Sequence, residues 1–186
     1  MAGMAGAGLA VVSWAALGRE PRLAEPYEHL LVLDPPPVAG ALPLVETAPG
    51  RGFGHLAWGE PECSFTQSYW REQLDLRPAL SHVWRALPRG DGPVGGDALT
   101  RVLRGEDSYP RGGALAARLL RVLRELGLVE LDRDGRSCTS VDRPRTELDR
   151  SATHRAYAAR LAQAERHLSA GAQPDERRVA PLGKAS

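Results

Sequence analysis

Three short apolar runs lie in the first third of the chain, each bounded by Pro or Gly. They span Gly8–Trp14, His29–Asp34 and Gly52–Trp58. Continuous apolar runs of this length are typical of strands that are buried on both faces of a sheet. The segments between them, Ala15–Leu23 and Val38–Val45, are each long enough for a short helix. This alternation predicts a small parallel α/β layer.

The predicted layer is incomplete by itself. Two or three parallel strands with so few helices cannot cover both faces of a sheet, and the sequence starts almost at the first strand. We therefore expect the layer to belong to a larger sheet whose earlier strands are missing here. Asp34 ends the second run, and ligands of open α/β folds collect at the C-terminal ends of strands. It is a candidate ligand or catalytic group of a small metal-dependent enzyme, or it simply caps the next turn.

Helical sequence follows a Pro- and Gly-containing patch near residue 60. Apolar side chains recur at helical spacing, first at Phe65, Tyr69, Trp70 and Leu74, then, beyond Asp75, at Leu76, Leu80, Val83, Trp84 and Leu87. We expect the aromatic stripe to face inward as core packing. The alternative is a platform on which nucleic-acid bases stack, which requires exposed rings.

The second half has the element order of a winged helix-turn-helix domain. Three helices are predicted, at 76–87, near 98–103 and at Gly113–Leu126, and Gly127 is placed to end the third in the left-handed conformation. Two short strands, Leu128–Asp132 and Arg136–Val141, follow, and Asp134-Gly135 between them predicts a type I′ turn. Helix, helix, helix, hairpin is the winged-helix order.

A long helix is expected to close the fold, followed by a disordered tail. The helix is predicted from about Arg145 to Leu168, and the polar residues after it are typical of disorder. The fold class is thus α/β, then α+β. Its predicted parts are a partial, Rossmann-like layer at 1–64, a winged-helix-like domain with the C-terminal helix at 65–168, and a tail at 169–186.

Arginines mark the candidate binding surface. The positions Arg111, Ala114, Arg118 and Arg121 lie at spacings of three or four residues, away from the apolar stripe of Leu115, Leu119, Val122 and Leu126 on the third helix. Arg133 and Arg136 flank the hairpin tip. In a DNA-binding winged helix these positions would contact phosphates or the groove. The alternatives are a solvated face, with arginine stems lying over apolar surface, and a protein-binding module.

Composition excludes several classes of protein. The net charge of +1 does not indicate a nucleic-acid binder, and the two cysteines lack the paired spacing of a structural zinc site. The low aromatic content of 5 % predicts a modestly stable core built from Leu, Val and Ala. No run approaches the roughly 20 apolar residues of a membrane span, and the amino end lacks the features of a signal peptide. We expect a reduced, cytoplasmic protein that does not contact membranes.

Catalytic motifs are absent from the sequence. It contains no Ser-His-Asp, HExxH, Walker or GxGxxG pattern, and its histidines are scattered. A two-metal nuclease gathers several carboxylates and histidines around ions roughly 4 Å apart. We therefore predict no catalytic residue, metal or cofactor in this chain.

Five segments carry a resemblance to a known family, and they occur in the family's order: Val12–Leu17, Pro26–Pro36, Trp70–Gln73, Leu123–Val129 and Arg145–His154. Together they resemble the C-terminal region of RecJ-like single-stranded-DNA exonucleases of the DHH family, which has Tyr at the position of His154. The family's manganese-binding DHH domain and its second substrate-binding domain lie upstream of this region, and nothing here matches them. Manganese or magnesium is thus expected only in that absent core.

The resemblance implies an accessory role in DNA repair and recombination. The chain would position single-stranded DNA or recruit a partner such as a single-strand-DNA-binding protein, as a fragment or a separately encoded piece beside a RecJ-like catalytic core. The alternative is an independent winged-helix protein with a DNA-binding or regulatory function.

Overall fold

The protein is a mixed α/β structure. The computed structural model describes residues 8–46, 53–90, 92–106, 108–142 and 146–170. In these ranges it has a two-stranded parallel sheet, a three-stranded antiparallel sheet and seven α-helices, the last of which is long. The described residues fall into two compact units: those within 1–70 and 163–186, and those within 71–162.

The first unit contains the predicted parallel strand pair. Its elements are α1 (Trp14–Arg19), β1 (His29–Val32), α2 (Pro43–Glu46), β2 (Phe53–Leu56) and the greater part of α3 (Glu60–Leu74). The strands β1 and β2 are parallel, with His29 opposite Phe53 and Val32 opposite Leu56. This confirms the parallel pairing that the alternation of strand and helix predicted.

The first predicted strand, Gly8–Trp14, is wrong. The hydroxyl of Ser13 accepts the amide proton of Ala16 at 3.2 Å, so α1 begins at Trp14. The apolar residues before it form no strand, and Val11 is 65 % exposed. Ser13 lies inside the apolar run and caps the N-terminus of α1, so the run ends in a helix and not in a strand.

The two parallel strands are buried on one face only, which corrects the prediction of burial on both. Exposed and half-buried positions alternate along each strand. Leu30 and Val32 pack on a small core of Leu17, Ala24 and Val45. On the other face Leu31 remains 63 % exposed.

The second unit has a single core of three helices and a sheet. Its elements are α4 (Leu76–Ala86), β3 (Val94–Gly95), α5 (Gly96–Arg104), α6 (Gly113–Glu125), β4 (Val129–Asp132), β5 (Ser137–Ser140) and the first part of α7 (Ala152–Ser169). The sheet is antiparallel in the order β3-β5-β4. Leu76, Val83, Leu119, Val122 and Cys138 are among its most buried side chains.

The end of α6 confirms the role predicted for Gly127. Its φ is +67°, the left-handed conformation that glycine adopts without a steric penalty. The amide of Gly127 donates to the carbonyl of Arg124, and that of Leu128 donates to the carbonyl of Leu123, both at 2.9 Å. This paired arrangement is a Schellman motif, which satisfies the last carbonyls of the helix.

The hairpin turn differs from the predicted type I′. Asp132 lies opposite Ser137, so four residues, 133–136, form the loop. Positive φ occurs at Arg136 (47°) and not at Gly135. The Asp132 carboxylate accepts the amides of Asp134 and Gly135, each at 3.0 Å. This side-chain bonding organises a longer turn than the Asp-Gly pair predicted.

The C-terminal helix starts later than predicted. α7 begins at Ala152, preceded by a 3-10 turn at Leu148–Arg150, whereas the pattern predicted a start near Arg145. Ser151 sets the start, because its hydroxyl accepts the amide proton of His154 at 3.0 Å. Arg145 itself, and the predicted tail apart from Ser169 and Ala170, lie outside the described residues.

Candidate nucleic-acid interface

Arg111 lies before α6 and binds the end of α5. Its Nε donates to the carbonyl of Leu103 at 2.9 Å, and its Nη2 donates to that of Val102 at 3.4 Å. In addition, the Nε of Arg104 donates a hydrogen bond to the Arg111 carbonyl at 3.0 Å. The half-buried Arg111 guanidinium thus satisfies carbonyls at a helix C-terminus, where a cation is favourable.

Arg118 lies on α6 and is half-buried. Its Nη1 donates to the carbonyl of Gln73 at 3.0 Å. Its Cζ is 4.8 Å from the centroid of the Tyr157 ring, a cation–π distance. These contacts hold the guanidinium in a fixed place beside α7.

Arg121 is the more available arginine of α6. Its side chain is 68 % exposed, and its Nε is 3.1 Å from Oε1 of Glu125, one helical turn away. Ion pairs one helical turn apart typically contribute only about 0.3–0.5 kcal/mol, and Glu125 keeps its other hydrogen bonds, to Ser151 and Thr153, without Arg121. Arg121 can therefore exchange this partner for another anion at little cost.

Arg133 and Arg136 lie in the hairpin loop, as predicted, and both are exposed. Within the described ranges neither has an ion-pair partner. They are free to contact phosphates, and the prediction that they do so stays open.

An open groove of about 450 Å³ lies between α6 and α7. It is lined by Ala117, Arg118, Arg121, Ala152, Thr153, Ala156, Tyr157 and Arg160. Sequence reasoning missed Tyr157 and Arg160, because it predicted only that the long C-terminal helix spans them and gave neither a binding role. Their spacing of three residues on one helix was a usable signal, because it puts a ring and a guanidinium side by side. Arg160 is exposed, with its Cζ 5.7 Å from the Tyr157 centroid.

Glu125 is bonded to two of the residues that line this groove, Arg121 and Thr153. Its carboxylate accepts the hydroxyls of Ser151 and Thr153, both at 2.6 Å, and the amide of Thr153 at 2.9 Å. The Ser151 hydroxyl, followed by that of Thr153, lowers the pKa of Glu125 from 4.5 to about 2. The Glu125 carboxylate pairs with Arg121, whereas the groove lining contains the three guanidinium groups of Arg118, Arg121 and Arg160 and no carboxylate, which leaves the groove positive.

The aromatic stripe of α3 does not pack inward as predicted. Phe65 is 64 % and Tyr69 47 % exposed, although Leu74 at the end of the helix is buried. Tyr69 contacts Trp70 edge to face, with ring centroids 5.6 Å apart. The exposed rings meet the condition that base stacking requires.

No metal-binding cluster is present among the residues that the structure describes. No three His, Cys, Asp or Glu side chains come together there.

The histidine pair, Asp34 and the cysteines lie in separate places. His29 and His55 face each other across the parallel strands, with ring nitrogens 3.0 Å apart. Asp34 is exposed just beyond β1, and its backbone carbonyl accepts the Trp14 indole proton at 3.1 Å. Cys63 and Cys138 are both free thiols.

None of the helices in the described ranges has the length and apolar character that crossing a membrane would require. Searches against protein-family models, curated proteins and solved structures find nothing that matches this chain.

Proposed function

We propose that this chain is a non-catalytic, nucleic-acid-binding accessory region of a cytoplasmic RecJ-like single-stranded-DNA exonuclease, acting in DNA repair and recombination. The observation that carries the binding function is the set of exposed guanidinium groups on the second unit. Arg121 and Arg160 border the groove, and Arg133 and Arg136 lie at the hairpin tip. Guanidinium groups bind phosphate through two parallel hydrogen bonds.

The topology of the second unit supports a winged-helix assignment. Helix α4, a short strand, helices α5 and α6 and the β4–β5 hairpin follow one another in that order. The first strand pairs with the last, which gives the sheet order β3-β5-β4. In this assignment α6 is the recognition helix and the hairpin is the wing.

The surroundings of α6 favour a single strand over a duplex. Tyr157 of α7 contacts Arg118, and Ser151 and Thr153 bind Glu125, so α7 lies beside the outer face of α6. A helix enters the major groove only when its outer face is free. A flexible single strand can follow a groove between two helices.

The exposed face of the parallel sheet supports the proposal of a larger partner. Leu31 and Phe53 are exposed on the uncovered face of β1 and β2. Two strands with one open face fit a sheet that continues in, or packs against, another polypeptide. We propose a RecJ-like catalytic core as that polypeptide, with a single-strand-DNA-binding protein as a further partner of the region.

Oligonucleotide binding by the purified full chain tests the function. We expect fluorescence anisotropy to show binding of a labelled single strand that weakens steeply between about 50 and 200 mM salt. The double variant Arg133→Ala/Arg136→Ala should reduce the salt slope by about 1.4, because each lost phosphate contact removes about 0.7. Arg124→Ala, which removes an exposed arginine away from the groove, is the control for charge. Salt-independent binding, or none, would exclude the function.

A nuclease assay tests the absence of catalysis. We expect no release of nucleotides from a 5′-ended single strand with manganese. Turnover that disappears in Asp34→Asn would instead establish the small-enzyme alternative.

An independent winged-helix protein is the second candidate. The element order and the sheet order favour it as much as they favour an accessory region, because neither requires a catalytic partner. It predicts tighter binding to a duplex than to a single strand, and the anisotropy experiment with both probes decides. The DNA upstream of the coding sequence gives a separate check: an open frame encoding a DHH domain supports the accessory region, and unrelated sequence opposes it.

A further inference from the structure

We propose that the groove between α6 and α7 is a binding site for one phosphate group, held by Arg121 and Arg160. The proposal deepens the nucleic-acid-binding function and rests on it only for the source of the phosphate. A free nucleotide or pyrophosphate presents the same chemistry, so the site can be tested separately from the function.

The groove combines cations with walls of small side chains. Ala117 on α6 and Ala152 and Ala156 on α7 leave open space where larger residues would fill it. The volume of about 450 Å³ lies at the small end of the usual range for ligand sites. It is large enough for a phosphate with part of an attached sugar.

Tyr157 fixes the positions of two of the cations. Its ring packs against the core of the second unit on one side. The guanidinium groups of Arg118 and Arg160 both lie within 6 Å of its centroid, at 4.8 and 5.7 Å. A guanidinium held on a ring loses less conformational entropy when it binds an anion. Arg118 is also tied to the Gln73 carbonyl, so it is a positioning residue that adds positive potential.

The remaining hydrogen-bonding capacity belongs to Arg121 and Arg160. Arg160 makes no ion pair within the described part of the chain, and Arg121 uses only Nε for Glu125. The N-terminal amide of Thr153 is not available, because it donates to Glu125. The site thus depends on side-chain guanidinium groups and not on the helix terminus.

Two pairs of variants separate the groove from general charge. Ala156→Leu fills the groove without changing charge, and Ala158→Leu places the same side chain at an exposed α7 position that does not line it. Arg160→Gln removes a groove cation, and Arg124→Gln removes an exposed α6 cation outside the groove. All four positions are exposed, so the variants are expected to fold, which circular dichroism checks.

Each full-length variant is titrated with a labelled single strand, with pyrophosphate and with adenosine monophosphate. We expect Arg160→Gln to weaken binding roughly three- to tenfold, because it removes one charge-assisted contact. Ala156→Leu should weaken binding by a similar factor, because its side chain occupies the space that the phosphate needs. Ala158→Leu and Arg124→Gln should change affinity less than about twofold, and Arg160→Gln should reduce the salt slope by about 0.7.

The possible results decide between the site and the function. Oligonucleotide binding that is equally affected by groove and control variants overturns the site and leaves the function standing. Binding of pyrophosphate or adenosine monophosphate with the expected variant pattern, but no binding of the oligonucleotide, supports the site and overturns the nucleic-acid function. If none of the probes binds, both proposals are overturned.

Discussion

The carboxylate of Glu125, the last residue of α6, accepts a 2.6 Å hydrogen bond from the hydroxyl of Ser151, the residue before α7. Ser151 is fully buried and uses the same oxygen to accept the amide proton of His154. One residue pair therefore ties the end of one helix to the start of another. It also orients the two walls of the groove.

Removing the charge of Glu125 should destabilise the second unit in a pH-dependent way. We expect Glu125→Gln to lower the free energy of unfolding by about 1–2 kcal/mol at pH 7, because hydrogen bonds to a charged acceptor are the stronger ones. The pKa of Glu125 is lowered from 4.5 to about 2 in the folded protein. Its contribution is thus complete above pH 4.5 and is lost as the pH falls toward 2.

Urea denaturation across this pH range measures the effect. The difference between wild type and Glu125→Gln should shrink as the pH falls below 4.5. Glu130→Gln, at an exposed position of β4, is the control and should leave stability unchanged. A difference that stays constant down to pH 2 would refute the role of the Glu125 charge.

Ser151 should tolerate aspartate poorly, although Asp is as good a helix cap as Ser in general. Ser151→Ala should cost about 1–2 kcal/mol through the lost cap. Ser151→Asp should cost more at pH 7, because it places a second carboxylate beside that of Glu125. Thermal unfolding of both variants at pH 7 tests this order. If Asp proves as stable as Ser, Glu125 does not face the cap as described.

Arg136 should be replaceable by glycine with a gain in stability. Its φ of 47° costs an L-residue about 1–2 kcal/mol, and glycine avoids this cost while adding unfolded-state entropy. We expect Arg136→Gly to raise the free energy of unfolding by roughly 0.5 kcal/mol. Arg133→Gly, in the same loop but without positive φ, should lower it. Equal losses in both variants would show that Arg136 is not strained.

Arg111 should act on stability and not on nucleic-acid binding. Its guanidinium reaches two α5 carbonyls, Val102 and Leu103, which the single ammonium of lysine does not reproduce. We expect Arg111→Lys to lower the free energy of unfolding by about 1 kcal/mol. The salt slope of oligonucleotide binding should not change. A reduced slope with unchanged stability would restore Arg111 to the binding surface.

The sequence by itself determined the elements whose signals are local. The leucine stripe at Leu115, Leu119 and Val122 specified α6, and Gly127 specified its end, because helical periodicity and left-handed backbone preference act over a few residues. The parallel strand pair and the order of helices and hairpin were also predictable. The hydrophobic pattern did not predict side-chain capping, and capping by Ser13 and Ser151 sets where α1 and α7 begin.

Tertiary structure decided which helix faces are covered and which arginine guanidinium groups already have partners within the protein. A stripe such as Phe65 and Tyr69 marks one side of a helix, but burial depends on whether a distant segment packs there. In the sequence, nothing distinguishes Arg111 and Arg118 from Arg121. In the structure, however, both donate to backbone carbonyls, and Arg118 also lies over the Tyr157 ring. Folding alone brings these partners close. The groove exists because α7 returns beside α6, and contacts between such distant segments leave no periodic trace in the chain.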